Sequence, residues 1–159
     1  MTDLQQVKDR LEIRELIELY SVSVTLRDWD AVGACFHPEG RWRASVGYDF
    51  HTRQGIQDGI RGIGEGMDFL VQMSNGVVIR ELTPERATAN LVLNEIGKYR
   101  DREGGVFVLG VYYDTLVKHE GRWVFEERDF QAHYIEPTTP SGRCFVDYAN
   151  LPWAPAPRG

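Results

Sequence analysis

Two cysteines in 159 residues, Cys35 and Cys144, are too few for a disulfide framework, and the expected state is two reduced thiols. Four scattered histidines add no zinc-ligand spacing to them. Neither a G-x-G-x-x-G nor a P-loop pattern is present, so no metal and no nucleotide cofactor is expected. No apolar run approaches the roughly 18–20 residues of a membrane span. The first stretch, "MTDLQQVKDRLEIRELIELY", is charged throughout and does not read as a secretory signal, which points to a cytoplasmic protein. Lysine and arginine form no block, and the net charge is −6. That argues against nucleic acid or an anionic membrane as the main partner. Internal repeats and low-complexity segments are also missing.

What remains is an ordinary globular composition, 42% hydrophobic and 26% charged, in a length that suits one domain. At that size roughly 68–70% of the unfolded surface can be buried, enough for a core that also encloses a cavity. Thr2 and Gln5 resemble a capping box, and Leu4, Val7, Leu11, Leu16, Ile17 and Tyr20 follow as an apolar helical stripe. "LRDWDAVGACFHPEG" reads as a short second helix with Trp29, Val32 and Phe36 on one face, stopped by Pro38 and Gly40. "GRWRASVGYDF" reads as a strand. From Arg53 to Met67, Ile56, Ile60, Ile63 and Met67 recur at helical spacing, against the cost of five glycines.

The second half alternates at period two. Runs at 75–82, 86–100, 105–118 and 121–135 are separated by "TPER", "DREGG" and "KHEGR", all hairpin-type connections. Helices first and strands later predict an α+β domain, with about three N-terminal helices covering a pocket on a cone-shaped, strongly curved antiparallel sheet. The domain is expected to span 1–136. Residues 137–159 hold five prolines and read as an extended tail, whose Phe145, Tyr148, Leu151 and Trp153 should pack on the pocket mouth or on a neighbouring subunit.

The stretches "IRELIELYSVSVTLRDWDAVGACFHPEGRW", "PERATA" and "YYDTLVKHEGRWVFEERDF" resemble the SnoaL-like branch of the nuclear transport factor 2-like superfamily, over about residues 3–135. The resemblance implies a cone-shaped fold. Its branch holds cyclases, dehydratases, a dehydrochlorinase, isomerases, epoxide hydrolases and proteins without a known reaction. Dehydratases and dehydrochlorinases of this group use a first-helix Tyr or Lys, an Asp five residues on, and a His opening the strand after the third helix. A His paired to a carboxylate in a dry pocket makes a general base there. Here Tyr20 matches the first position, Thr25 falls on the Asp, and Val71 or Gln72 falls on the His. The acid–base dyad is gone.

The same resemblance turns Trp42, Glu95, Val108, Tyr112 and Arg128 toward the pocket, with Asn94 outward. Burying either charge of Glu95 and Arg128 alone is costly, so the two are expected to pair. The candidate catalytic set is therefore Glu95, Arg128, Tyr20 and Tyr112, and the candidate substrate-binding set is Thr25, Trp42, Gln72, Val108 and Phe130. His37, His51 and His119 read as surface or turn residues, and Asp28 and Asp30 as a solvated helix start. His133 is a further candidate for the pocket. The implied activity is that of a cofactor-independent lyase, isomerase or cyclase on a small apolar or aromatic metabolite, in a homodimer or homotrimer. The alternative is a non-catalytic ligand-binding or accessory module of the same fold.

Overall fold

A computed structural model describes residues 2–151. Helix α1 (Asp3–Leu26) starts where the Thr2 hydroxyl accepts the Gln5 amide, and it ends at Arg27 in the left-handed conformation. Helix α2 (Trp29–Ala34) is capped by Asp28, whose carboxylate accepts from the Ala31 amide. Strand β1 (Phe36–Ala44) turns back through Gly47 into β2 (Tyr48–His51), so the single early strand of the sequence is an antiparallel hairpin. Helix α3 (Arg53–Glu65) follows, then β3 (Met67–Leu82), β4 (Arg86–Tyr99), β5 (Gly105–His119) and β6 (Arg122–Thr138).

The helix expected to reach Met67 thus stops at Glu65, and β3 begins eight residues before the expected strand. Gly66 ends the helix, and Met67 is already paired with Tyr99. The glycines of α3 have a packing use: a Cβ on Gly64 would strike the Trp29 ring of α2, and one on Gly59 would strike Phe50.

The four expected long strands pair antiparallel in sequence order, but the whole sheet is mixed. Its order is β2-β1-β6-β5-β4-β3, and β1 lies parallel to β6. The chain leaves β2 through α3 and returns at the far edge, so β1 meets the last strand with no hairpin to dictate direction. The sheet is open, with β2 and β3 as its edges, and it is not strongly curled into the expected cone. Helices and sheet share one core on the inner face.

The apolar stripe of α1 needs correction. Leu16, Ile17 and Tyr20 are buried, yet Leu4, Val7 and Leu11 are exposed. In their place Ile13 and Asp9 face inward. Asp9 is fully enclosed, accepting from Lys118 Nζ at 2.8 Å, Trp123 Nε1 at 2.9 Å and Gln5 Nε2 at 3.0 Å. Burial works to raise its carboxyl, but these donors outweigh burial and hold it below the ordinary range. Asp9→Ala should cost about 1.5–3 kcal/mol in urea unfolding, since a charged hydrogen-bond acceptor is lost from a buried site. With the folded-state value depressed, this contribution is present above the ordinary carboxyl range. It fades as pH falls from the ordinary value down through the depressed one, and the mutant should show less of that fading.

Strand β6 reaches Thr138, two residues beyond the expected domain end. From there to 151 no helix or strand forms. Tyr148 packs under the Arg27 guanidinium, 3.6 Å from ring centre, so the tail docks at the C-terminal end of α1. No residue of 139–151 lines the cavity described below, and Phe145 is exposed; Trp153 lies outside the described residues. Cys35 is buried and Cys144 exposed, both free. No described helix is long and apolar enough to cross a membrane.

Candidate functional site

The strand register fixes which side chains meet over the inner face. Residues directly opposite on neighbouring strands share a face and form rows across the sheet. Gln72, Glu95, Val108 and Ile135 make one such row. Leu91, Tyr112, Phe130 and Ala44 make another, and Ala89, Asp114, Arg128 and Trp42 the next. Within β4, Ala87, Ala89, Leu91 and Leu93 are buried, so Glu95 continues the inward set. Asn90 and Asn94 fall on the outer face, where Asn90 accepts from Arg80.

Between this face, α1 and α3 lies a cavity of about 100 Å³. That is the scale of the ~150 Å³ void that takes a benzene-sized guest. Its walls include seven of the nine candidate residues: Tyr20, Trp42, Gln72, Glu95, Val108, Tyr112 and Phe130. Ile60 and Ile63 of α3, with Leu70 and Leu93 of the sheet, complete an apolar lining. Val46, Tyr48 and Ile135 are each about half exposed and form its rim. Thr25 and Arg128 are not wall residues. His133 is exposed, displaced by a bulge in β6.

At one end Gln72 Nε2 donates to Glu95 Oε2 at 2.7 Å. The Gln72 backbone amide donates to Thr25 Oγ1 at 3.0 Å, so the two positions expected for the missing dyad are joined by a backbone hydrogen bond. Burial raises the Glu95 carboxyl above its ordinary value, opposed only by the bond from Gln72. Gln72 Oε1 is buried without a partner.

The other end is built on tyrosines. Trp42 Nε1 donates to the Tyr112 hydroxyl at 3.2 Å. Tyr20 and Tyr112 meet edge to face, with centroids 6.2 Å apart. Burial pushes Tyr112 up to about 12 and Tyr20 well above the ordinary phenol range, and the charge of Arg128 opposes both shifts. Arg128 lies behind these rings, 3.9 Å from the Tyr112 centroid, 4.3 Å from Tyr20 and 4.1 Å from Phe125.

The expected Glu95–Arg128 ion pair does not form. Arg128 is wholly buried and holds Asp114 with two bonds, Nε–Oδ1 at 2.8 Å and Nη2–Oδ2 at 3.1 Å. Burial raises the Asp114 carboxyl and Arg128 pulls it back; the two-pronged geometry is that of an ionised pair. Asp114 and Arg128 are register partners, opposite Ala89. Glu95 lies six residues along β4 from Ala89, about 20 Å of strand, too far for these side chains to join. Asp114 carries a signal of inward placement in the sequence. It alternates with Tyr112 and Leu116, as Arg128 does with Phe130, and an acid and a base inward on adjacent hairpin strands favour each other.

A family model described as a SnoaL-like domain matches residues 5–129. Among solved structures, a candidate scytalone dehydratase from Novosphingobium aromaticivorans DSM 12444 is 21% identical with a TM-score of 0.76, covering 91% of this chain and 100% of that one. The hexachlorocyclohexane dehydrochlorinase LinA-type3 from Novosphingobium barchaimii LL02 is 14% identical with a TM-score of 0.80, covering 92% and 99%. A candidate aromatic ring hydroxylase from Novosphingobium aromaticivorans is 20% identical with a TM-score of 0.76, covering 83% and 94%. At these identities the likeness is one of fold. No curated protein matches the chain.

Proposed function

Since the chain belongs to the SnoaL-like domain family, we propose that the cavity is the site of a cofactor-independent lyase, isomerase or cyclase acting on a small, largely apolar cyclic or aromatic substrate. One observation carries this reading: an apolar cavity with a carboxyl group of raised pKa at one end and a hydroxyl pair at the other. A carboxylate whose pKa is raised toward working pH is a stronger base than an ordinary one, and Glu95 is the proton acceptor. Tyr20 and Tyr112 donate to oxygen that gains negative charge in the step, and Tyr112 is oriented by the bond from Trp42. Arg128 touches the rings rather than the cavity, so its role is positioning. Its fixed charge makes both hydroxyls better donors.

A ligand-binding module without turnover is the second reading, and the Thr25–Gln72 bond favours it, because positions that could hold an Asp/His dyad serve the backbone instead. Val108→Trp separates a working pocket from an incidental void. Val108 is a wall residue, and the added ring should fill the cavity at a cost of about 1–3 kcal/mol of overpacking. Wild-type protein exposed to a metabolite extract should retain a small apolar compound seen by mass spectrometry, and the variant should not. Turnover of the retained compound decides between the two readings. Equal retention by a cooperatively melting Val108→Trp would refute the assignment of the cavity.

The protein is further proposed to work as a homodimer or homotrimer. The outer sheet face exposes Val78, Val92, Ile96, Tyr113 and Tyr134, an apolar area suited to a second copy. Light scattering should give two or three times the chain mass. A monomer at micromolar concentration counts against it.

A further inference from the structure

Among the described residues, the polar end of the cavity has one side-chain donor group, the Gln72 amide, and no cation. Gln72 spends an Nε2 hydrogen on Glu95, its Oε1 has no partner, and Glu95 has no Lys, Arg or His within ion-pair reach among the described residues. The ionisable groups facing the same space are hydroxyls only: Tyr20 from α1, Tyr48 from β2 and Tyr112 from β5, while α3 contributes Ile60 and Ile63. Among the described residues the one buried cation nearby, Arg128, is committed to Asp114. Gln72 Oε1 is enclosed without a donor, and the Glu95 carboxylate has one donor and no countercharge; each carries a desolvation cost.

We propose that the ligand of this cavity is a protonated amine on a small apolar ring, with its ammonium group held between Glu95 and Gln72 Oε1. An ammonium supplies what the end lacks: a positive charge for the carboxylate and N–H donors for both oxygens. The ring then lies among Trp42, Tyr112 and Phe130. Electrostatics fixes the orientation, because Arg128 stands behind Tyr20 and Tyr112 and repels a cation from that end. An ammonium also opposes the burial that raises the Glu95 carboxyl and keeps it ionised. The inference rests on the cavity being the ligand site and adds the charge of the ligand.

Benzylamine and its neutral counterpart benzyl alcohol are suitable probes, titrated calorimetrically at pH 7 into wild type, Glu95→Gln, Gln72→Met and Val108→Trp. Benzylamine is expected to bind wild type at least about tenfold tighter than the alcohol, a gap of roughly 1.4 kcal/mol. Glu95→Gln should erase that preference, Gln72→Met should reduce it, and Val108→Trp should abolish binding of both probes. In wild type the preference should shrink as acid protonates Glu95. Equal binding of the two probes, or an amine preference that survives Glu95→Gln, would overturn the proposal. If the alcohol binds, Val108→Trp abolishes it and no amine preference exists, the charge inference alone is wrong. If neither probe binds, the cavity reading falls with it.

Discussion

Asp114→Asn should be the most damaging single substitution in the inner face, lowering stability by about 3–5 kcal/mol. Asp114 and Arg128 are both fully buried and joined by two hydrogen bonds. Removing the carboxylate leaves a guanidinium that cannot shed its proton, packed against Tyr20, Tyr112 and Phe125 and wholly removed from bulk solvent. Cation–π contact is worth about 2 kcal/mol or more in a desolvated site but is present already, so it cannot replace the lost partner. For a chain of this length the melting temperature should drop on the order of 10 °C. Replacing both partners separates a poor core from a stranded charge. Asp114→Leu with Arg128→Met removes both charges, and this double variant should melt near wild type or above it. Thermal and urea unfolding of the single and double variants make a cycle. A loss below about 1 kcal/mol for Asp114→Asn would mean that Arg128 relaxes to another acceptor. The tyrosine end would then not be held as described.

The difference between this pair and the expected Glu95–Arg128 pair shows what alternation can and cannot tell. The family resemblance turns Trp42, Glu95, Val108 and Tyr112 inward, and the period-two runs agree with it, since a buried face needs every second residue. They do not say which inward residues lie opposite one another. Counting back from the Glu120-Gly121 turn, where both residues have positive φ, Asp114 would face Glu127. One extra residue between Phe125 and Glu127 shifts the register and brings Arg128 opposite Asp114. A second shift at Leu109/Gly110 moves His133 out of the pocket. No residue type between Phe125 and Glu127 announces a bulge, and Gly110 at the second shift hints at one without fixing its direction, so the site was legible as a set of inward side chains and not as a set of contacts. Similar reasons hid the β1–β6 pairing. Residues far apart in sequence meet there, and neither a turn nor a composition signal specifies their direction. In α1, helical spacing found Leu16, Ile17 and Tyr20. It could not anticipate that Asp9 would face inward, because Lys118 and Trp123 come from the other end of the chain.

Glu95→Gln should increase stability while removing function, a combination that a purely structural residue does not give. The carboxyl of Glu95 is raised by burial and has only Gln72 as partner, so the folded state holds its proton more tightly than the unfolded chain. Below the ordinary glutamate range both states are protonated and the group contributes nothing. As pH rises through the window between the ordinary and the raised value, the unfolded chain loses its proton first, and folding stability falls. Each unit of the shift corresponds to about 1.4 kcal/mol of this penalty. Glutamine carries no charge, can still accept from Gln72, and keeps the shape. The variant should therefore match wild type in acid and exceed it at neutral pH, with a flatter stability–pH profile. The titratable hydroxyls of Tyr20 and Tyr112 share the cavity with Glu95, and burial raises both above the ordinary phenol range, far outside that window. Turnover of the identified substrate should fall by roughly 10²–10⁴, the usual contribution of a positioned base. Tyr112→Phe gives a control of opposite character: it should reduce turnover while leaving the pH dependence of stability as in wild type. If Glu95→Gln instead lowered stability at neutral pH, the carboxylate would have a stabilising partner. Unchanged turnover would remove Glu95 from the chemistry, whatever its effect on the fold.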